Sequence, residues 1–345
     1  MSEAKVISIV NYKGGVGKTT AAYNIGSGLA YLADKKVLLI DLDPQCSLSN
    51  VCVKAYSRRY DRQVQVPTLS VTQTINSVIR QYLEHIDYGV PASILLKDML
   101  FSNFYRGYYW SLDGFDFIPT TMYDTSKTGF GKGLDDLEID IAMRLSGDAS
   151  RFKQLSILPR FFADLDLDSK YDYIIFDCPP ANSLITQNAL MVSDYYLIPT
   201  IMDEMSSDGI AHMDSLIQNS VFAAFKNRYG ELAETHPERF ARFFRKEPAK
   251  LLAIFESIRK TTVVTDVWRN RVEARFPGKL LNSVICHHRG VADAMGQGYN
   301  VYSVDLGRRQ YEPSRTFTAL ILEILDELGV SYNADSVKTR STTWL

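Results

Sequence analysis

The sequence predicts an α/β fold, a doubly wound and mostly parallel sheet with helical insertions. Three short apolar runs carry this prediction, at residues 6–10, 37–40 and 173–176. Continuous apolar runs of this length are typical of central parallel strands, which are buried on both faces. Each run is followed by glycines or aspartates, the residues that α/β proteins place at the carboxyl ends of strands to bind ligands.

The first run leads into a glycine-rich turn, NYKGGVGKTT at residues 11–20, and then into a helical pattern. Glycines let backbone N–H groups converge on phosphate oxygens, and the following helix adds its N-terminal dipole. In such a loop Lys18 reaches the β- and γ-phosphates and the Thr19 hydroxyl ligates Mg²⁺. The agreement of turn, lysine and hydroxyl argues against a βα turn that binds nothing. We therefore predict a P-loop NTPase that holds its nucleotide on Gly14, Gly15, Val16, Gly17, Lys18, Thr19 and Thr20.

The two other runs end in carboxylates. The second leads to Asp41 and Asp43, which would share a face if the strand continued, whereas Pro44 indicates that the chain turns away there. The third leads to Asp177, and four apolar residues before an aspartate form a Walker B pattern. We expect Asp177 to hold Mg²⁺ through water.

One residue departs from an ordinary P-loop, and that is Lys13. The sequence KGGVGKT at 13–19, with DLDPQ at 41–45 and DCPP at 177–180, resembles the ParA/MinD family of deviant-Walker P-loop ATPases, and within it the ParA/Soj branch. The resemblance implies that the nucleotide is ATP. It also implies that Lys13 reaches across a dimer interface to the partner's phosphates, which makes an ATP-sandwich homodimer. From the residues alone, Lys13 could equally contact the same nucleotide.

The resemblance assigns the remaining roles in the site. It implies that Asp43 orients the attacking water, so that Lys13, Lys18 and Asp43 are the catalytic residues. It gives Asp41 a supporting role near Mg²⁺, beside Thr19 and Asp177. The implied activity is Mg²⁺-dependent hydrolysis of ATP to ADP and phosphate, stimulated by a partner protein.

Composition bounds the class of protein. The chain has 345 residues, 46% of them hydrophobic, with a net charge of −2, so a full core is expected and a global basic field is not. The four cysteines show no metal-binding spacing and are expected to be reduced thiols. No secretion signal, membrane span or membrane-binding tail is predicted. We expect a cytoplasmic protein, with nucleoid association if it binds DNA.

The predicted organisation is one ATPase domain over residues 1–330, with insertions at about 53–112, 123–150 and 221–248 and a polar tail at 331–345. Later elements are predicted as strands at 115–119, 195–199 and 251–255, a helix at 264–276, a short strand at 283–285 that Asn282 separates from Leu280-Leu281, and a last helix at 316–328. An aromatic cluster at 101–110 is interpreted as an inserted helix packing on the core, or as a partner-binding surface.

The function of the predicted switch has two leading interpretations. The first is a partition ATPase whose ATP-bound dimer binds DNA without sequence preference and segregates or positions DNA or a protein cargo. Its candidate DNA contacts are Lys246, Lys250, Arg269, Arg271 and Arg289. The second is a dimeric switch that recruits a protein complex without partitioning DNA. A nucleotide-dependent reductase or ligase is a third, enzymatic interpretation.

Overall fold

The computed structural model describes residues 3–122, 133–146, 150–223, 225, 230, 243–245, 247–260, 264–303, 312–333, 335, 337 and 340. Its strands are β1 (Lys5–Ile9), β2 (Val37–Asp41), β3 (Phe115–Ile118), β4 (Tyr173–Asp177), β5 (Tyr195–Thr200), β6 (Lys250–Arg259) and β7 (Leu280–Cys286). They form one seven-stranded sheet in the order β3-β2-β4-β1-β5-β6-β7, and every neighbouring pair is parallel. The predicted doubly wound, parallel α/β fold is confirmed.

Helices cover both faces of this sheet. They are α1 (Lys18–Ala33), α2 (Ser47–Tyr60), α3 (Ile75–Tyr88), α4 (Leu96–Met99), α5 (Leu134–Arg144), α6 (Ser150–Gln154), α7 (Ile157–Leu165), α8 (Leu184–Val192), α9 (Glu204–Ser215) with a π-helical continuation at Leu216–Ala223, α10 (Asp266–Arg275), α11 (Arg289–Gly296) and α12 (Glu312–Glu327). Side chains alternate along a strand, so Val6 enters one core and Ile7 the other. The first core includes α3, α7 and α8, and the second includes α1 and α12.

The aromatic segment before β3 is not the predicted inserted helix. It runs antiparallel to β3, where the Phe101 backbone N–H donates to Phe117 O at 3.0 Å and the Phe104 N–H donates to Phe115 O at 3.0 Å. Because β3 is at the edge of the sheet, its free backbone groups can take this segment as a short extra pairing partner. Phe101, Phe104 and Tyr105 are buried by it.

The predicted break at Asn282 is also wrong, since β7 continues through it. β7 is the other edge strand, and Glu323 of α12 lies against it. Its carboxylate accepts from the Asn282 N–H at 2.7 Å and from the Ser283 N–H at 3.0 Å. A polar residue is therefore tolerated at this position of the strand.

Two described residues of the polar tail pack against the body of the protein. Val337 is buried against the second core, and the Arg340 guanidinium donates to Asp34 at 2.6 Å at the end of α1. Among the described residues, no helix is long and apolar enough to cross a membrane. The insertions at 123–150 and 221–248 lie partly outside the described residues, and the proposed domain boundaries stay a prediction.

Candidate nucleotide site

The P-loop leaves the middle of the sheet at its carboxyl edge. Ile9, the last residue of β1, is paired with Asp177 on one side and Leu197 on the other. Gly15 and Gly17 take φ angles of 73° and 83°, in the left-handed region that favours glycine. No side chain caps the first turn of α1, so its N–H groups are available to an anion.

Lys18 lies inside the loop and is buried. Its Nζ donates to the carbonyls of Asn11 at 3.2 Å and Lys13 at 3.3 Å. Burial lowers the pKa of Lys18, while the nearby charges of Asp177 and Asp43 oppose that shift. The side chain is thus a desolvated cation at the centre of the loop, which strengthens its attraction for a phosphate.

Two buried carboxylates meet beside the loop, where Asp41 ends β2 and Asp177 ends the adjacent β4. Asp41 Oδ2 accepts from both the N–H and the hydroxyl of Ser49 at 2.7 Å, and its Oδ1 accepts from the Asp43 N–H at 3.0 Å. Burial raises the pKa of Asp41 to about 7, although these hydrogen bonds act to lower it. The hydrogen bonds to Ser49 hold the start of α2 to the sheet beside the predicted Mg²⁺ site.

Asp177 is different, because neither of its carboxylate oxygens has a hydrogen-bond partner within the described part of the chain. Burial raises its pKa well above the usual range, and the neighbouring Asp41 raises it further. The Thr19 hydroxyl, which is close but outside hydrogen-bonding geometry, opposes these effects. An unpartnered buried carboxylate is costly unless a cation neutralises it.

These residues fit Mg²⁺. Asp177 and Thr19 offer hard oxygen atoms, and a magnesium ion in such sites takes only one or two protein ligands together with waters and phosphate oxygens. Among the described residues, no cluster of three His, Cys, Asp or Glu residues occurs that could hold a metal ion by itself.

Asp43 lies just beyond these two carboxylates and is nearly buried. Its Oδ1 accepts from the Gln45 N–H at 2.9 Å, in the turn that Pro44 begins. Burial raises the pKa of Asp43, while the Gln45 hydrogen bond and the Lys18 charge oppose the shift. Asp43 is thus a carboxylate that is held in a fixed position near the Lys18 cation.

The Lys13 side chain is held by residues at the start of α9. Its Nζ lies 2.5 Å from Asp203 Oδ2 and 3.3 Å from Ser206 Oγ, at the start of α9. Asp203 also caps that helix, because its Oδ1 accepts from the Ser206 N–H at 2.8 Å. Burial alone would raise the pKa of Asp203, but the hydrogen bonds from Lys13 and Ser206 outweigh it and lower the pKa.

The sequence matches known proteins over most of this site. The profile of a family described as an AAA domain matches residues 4–102 and 141–227, more than half of the chain. Sporulation initiation inhibitor protein Soj of Bacillus subtilis is 28% identical over 209 residues. The chain belongs to the ParA/MinD family of P-loop ATPases.

Other members of the family are similar to the same degree. The chromosome-partitioning ATPase Soj of Treponema pallidum is 28% identical over 207 residues. The matched region covers 61% of this chain and 63% of the B. subtilis protein, and 60% of this chain and of the T. pallidum protein, so it spans less than two thirds of these relatives.

Solved structures agree on the fold. The ATP complex of Cyanothece McdA gives a TM-score of 0.62 at 18% identity, covering 97% of this chain and all of that one. A plasmid partition protein from Borrelia burgdorferi gives a TM-score of 0.53 at 15% identity, covering 94% of this chain and all of that one.

Four of the five cations predicted to contact DNA lie among the described residues of this ParA/MinD-family chain, and two of these four lie at opposite edges of the sheet. Lys250 begins β6 at the amino edge of the sheet, whereas Arg289 follows β7 at the carboxyl edge and is 91% exposed. Arg271 is half exposed and pairs with Asp208 at 3.0 Å. Lys246 lies outside the described residues.

The expectation for Arg269 needs correction. Its guanidinium donates to Glu256 Oε2 at 3.0 Å and to Leu281 O at 2.9 Å. Glu256 is buried in β6, and an unpaired buried carboxylate there would be costly. Arg269 therefore stabilises the fold and is not available as a surface cation.

Sequence reasoning missed the partners that hold the predicted residues. Ser49 and Asp203 carry no motif of their own, and Ser257 donates to Val16 O at 2.6 Å from a strand far along the chain. Asp203 had one signal, since an aspartate followed by an acidic residue, here Glu204, ahead of a helical pattern is typical of a helix start.

Proposed function

We propose that this chain is a ParA-like ATPase that binds Mg²⁺ and ATP, closes into a dimer over two nucleotides, and hydrolyses ATP when a partner protein stimulates it. The observation that carries the proposal is the convergence of a buried lysine, a hydroxyl and an unpartnered carboxylate at the carboxyl edge of the sheet: Lys18, Thr19 and Asp177. The relatives named Soj and the McdA complex with ATP support the same nucleotide.

The proposed reaction needs no covalent nucleophile. Lys18 and the loop N–H groups hold the phosphates, and Asp43 orients a water molecule in line with the γ-phosphorus. Water adds to that phosphorus while the bond to ADP breaks, which gives ADP and phosphate. Mg²⁺, held by Thr19 and Asp177, would neutralise the charge on the phosphate oxygens. Lys13 adds a second cation when it leaves Asp203 for a partner's nucleotide.

Three variants test this mechanism. Lys18→Ala removes the buried cation and is expected to lose ATP binding by calorimetry. Asp43→Ala is expected to bind ATP and to accumulate as a dimer that does not turn over. Lys13→Ala is expected to bind ATP but to stay monomeric in mass photometry. Unchanged turnover of Lys13→Ala would rule out the cross-dimer role.

We further propose that the ATP-bound dimer segregates or positions DNA or a protein cargo by binding DNA through Arg271, Arg289 and Lys246, with Lys250 in a secondary role. A random duplex should shift at low salt with ATP and not with ADP, and the shift should weaken steeply with added salt. The alternative, a dimer that recruits a protein complex without binding DNA, is favoured by the scattered placement of the predicted cations. No shift in any nucleotide state would rule out the DNA-binding proposal and leave that alternative.

A further inference from the structure

The carboxyl end of β6 reaches the P-loop although β6 is not adjacent to β1 in the sheet. β5 lies between these two strands, and its last residue, Thr200, is paired with Glu256 of β6. β6 continues beyond this pair, so residues 257–259 extend past the end of β5. There the Ser257 hydroxyl donates to the Val16 carbonyl at 2.6 Å. The end of β6 is therefore in direct contact with the phosphate-binding loop.

The next residue, Ile258, has a strained backbone. Its φ angle is 55°, in the left-handed region, where a β-branched residue is a genuine outlier. Ser257 is paired with Ile285 of β7, and Arg259 is paired with Cys286, the following residue of β7. Ile258 is therefore an extra residue, a β-bulge, in this pair of strands. A strained conformation of this kind persists only where the surrounding structure imposes it.

The bulge changes where the Ile258 side chain lies. Neighbouring side chains of a regular strand point to opposite faces of the sheet, so Ser257 and Ile258 would not both reach the same loop. Here a Cβ atom placed on Gly17 would be 3.3 Å from Ile258 Cδ1, so the isoleucine side chain lies directly against Gly17. Two successive residues of β6 thus contact two successive residues of the P-loop, Val16 and Gly17.

Contacts on both sides hold the strained residue in place. Before it, the buried Glu256 carboxylate accepts from the Arg269 guanidinium at 3.0 Å. After it, the Arg259 carbonyl accepts from the His287 N–H at 2.8 Å. The conformation of Ile258 is therefore supported by the body of the protein and not by the P-loop alone.

The hydrogen bond from Ser257 fixes the direction of one peptide group of the loop. In a trans peptide, the C=O of one residue and the N–H of the next point in opposite directions. Because the Val16 carbonyl is held toward Ser257, the Gly17 N–H points away from Ser257. Glycine adopts either sign of φ with similar ease, so without this hydrogen bond the peptide could rotate. The backbone N–H groups of a P-loop are the donors that hold phosphate, so the direction of this group matters for binding.

We propose that Ser257 and Ile258 are positioning residues, which hold the peptide between Val16 and Gly17 in its phosphate-binding orientation before the nucleotide arrives. A loop that is already ordered loses less conformational entropy on binding, so this arrangement raises the affinity for the nucleotide. The inference rests on the proposed function, because it assigns a role in the same nucleotide site.

The first test is calorimetry with ATP on Ser257→Ala and the wild type. Loss of the hydrogen bond that orders the loop should weaken ATP binding about 2- to 10-fold. Ser257→Thr, which keeps the hydroxyl, should restore the affinity. Ser283→Ala is the matched control, because it removes a hydroxyl that donates to Glu323 at 2.5 Å on the neighbouring strand β7. Its ATP affinity should equal that of the wild type.

The second test measures the loop itself and needs no nucleotide. In the wild type without nucleotide, the NMR order parameters of the Gly15 and Gly17 amides should be near 0.85, about the value of a rigid backbone, and in Ser257→Ala they should fall below about 0.6. Unchanged order parameters in Ser257→Ala, or an equal loss of ATP affinity in Ser283→Ala, would overturn the proposal. If the wild type binds no ATP, the proposed function fails, and the order parameters still decide whether Ser257 holds the loop.

The strained residue is tested with a pair of variants. Ile258→Ala and Ile258→Gly both remove the contact with Gly17, so both should weaken ATP binding by a similar factor. Glycine adopts a φ of 55° freely and alanine does not, so Ile258→Gly should melt roughly 1 °C higher than Ile258→Ala. A higher melting temperature for Ile258→Ala, or wild-type ATP affinity in both variants, would contradict the role of Ile258.

Discussion

The ion pair between Lys13 and Asp203 sets up the most direct prediction, which concerns the variant Asp203→Asn. Asparagine is as good a helix cap as aspartate, so it can still accept from the Ser206 N–H at the start of α9. It carries no charge, so the attraction on Lys13 is lost while the helix is kept. If Lys13 must leave Asp203 to reach a partner's phosphates, the variant should dimerise more readily with ATP.

The size of the expected change in dimerisation follows from the solvent exposure of the Lys13–Asp203 ion pair. The side chains of Lys13 and Asp203 are 39% and 41% exposed, and ion pairs so accessible to water contribute about 0.2–1 kcal/mol. A symmetric dimer breaks two such pairs, which gives about 0.4–2 kcal/mol, or roughly a 2- to 30-fold lower Kd of dimerisation. Added salt screens the ion pair, so the difference in Kd between Asp203→Asn and the wild type should become smaller as the salt concentration rises.

The assay is mass photometry or sedimentation with ATP, in an Asp43→Ala background so that hydrolysis does not deplete the dimer. Asp208→Asn is the matched control, since it removes an exposed acid from the same helix, paired with Arg271. The double variant of Lys13→Ala and Asp203→Asn should show no gain. An unchanged or weaker dimer in Asp203→Asn would refute the reasoning.

Three further predictions concern stability. Asp177→Asn removes an unpartnered buried carboxylate, so chemical denaturation should show about 1–2 kcal/mol more stability together with lost Mg²⁺-dependent turnover. Arg269→Ala leaves the buried Glu256 with the longer Arg259 pair, at 3.7 Å, and should cost about 3 kcal/mol. Gly298→Ala, at φ 78° and with its new Cβ 2.6 Å from a backbone nitrogen, should cost more than 1 kcal/mol, whereas Gly209→Ala in open space on α9 should gain up to about 1 kcal/mol.

Each of these has an outcome that would contradict it. Lower stability in Asp177→Asn would mean that the carboxylate is paired in solution. An Arg269→Ala variant as stable as Arg271→Ala, whose pair is exposed, would place Arg269 at the surface after all. Equal melting temperatures for the two glycine variants would contradict the close approach of α2 to Gly298.

The central fold could be predicted because its strands are apolar on both faces. β1, β2 and β4 are almost completely buried, and continuous apolar runs signal that situation directly. The edge strands are harder to predict from the sequence, since an edge strand is supported by contacts with residues that are distant in sequence. Asn282 in β7 depends on Glu323, and the backbone pairing of Phe101 depends on a free edge at β3.

The residues of the nucleotide site also differ in how well the sequence alone predicts their positions. Residues whose chemistry is fixed by spacing, such as Lys18 and Asp177, could be placed at one edge of the sheet from the sequence. The partner of Lys13 could not, because Asp203 is 190 residues away and its position depends on how β5 ends. The pairing of Arg269 with the buried Glu256 could not be predicted for a related reason, since the sequence has no pattern that distinguishes a free surface arginine from one paired with a buried acid.

The position of Lys13 bears on how a nucleotide could control assembly. In a single chain, the charge of Lys13 is already balanced by Asp203. The P-loop of one chain therefore does not require the Lys13 cation. Under the proposed function, a partner's triphosphate offers more negative charge than one carboxylate, and loss of the γ-phosphate removes part of that advantage. Lys13 would then return to Asp203, and the interface would lose one cation–phosphate contact from each side. The intramolecular pair therefore supplies a resting state for the lysine, and its modest strength is what allows ATP to compete for it.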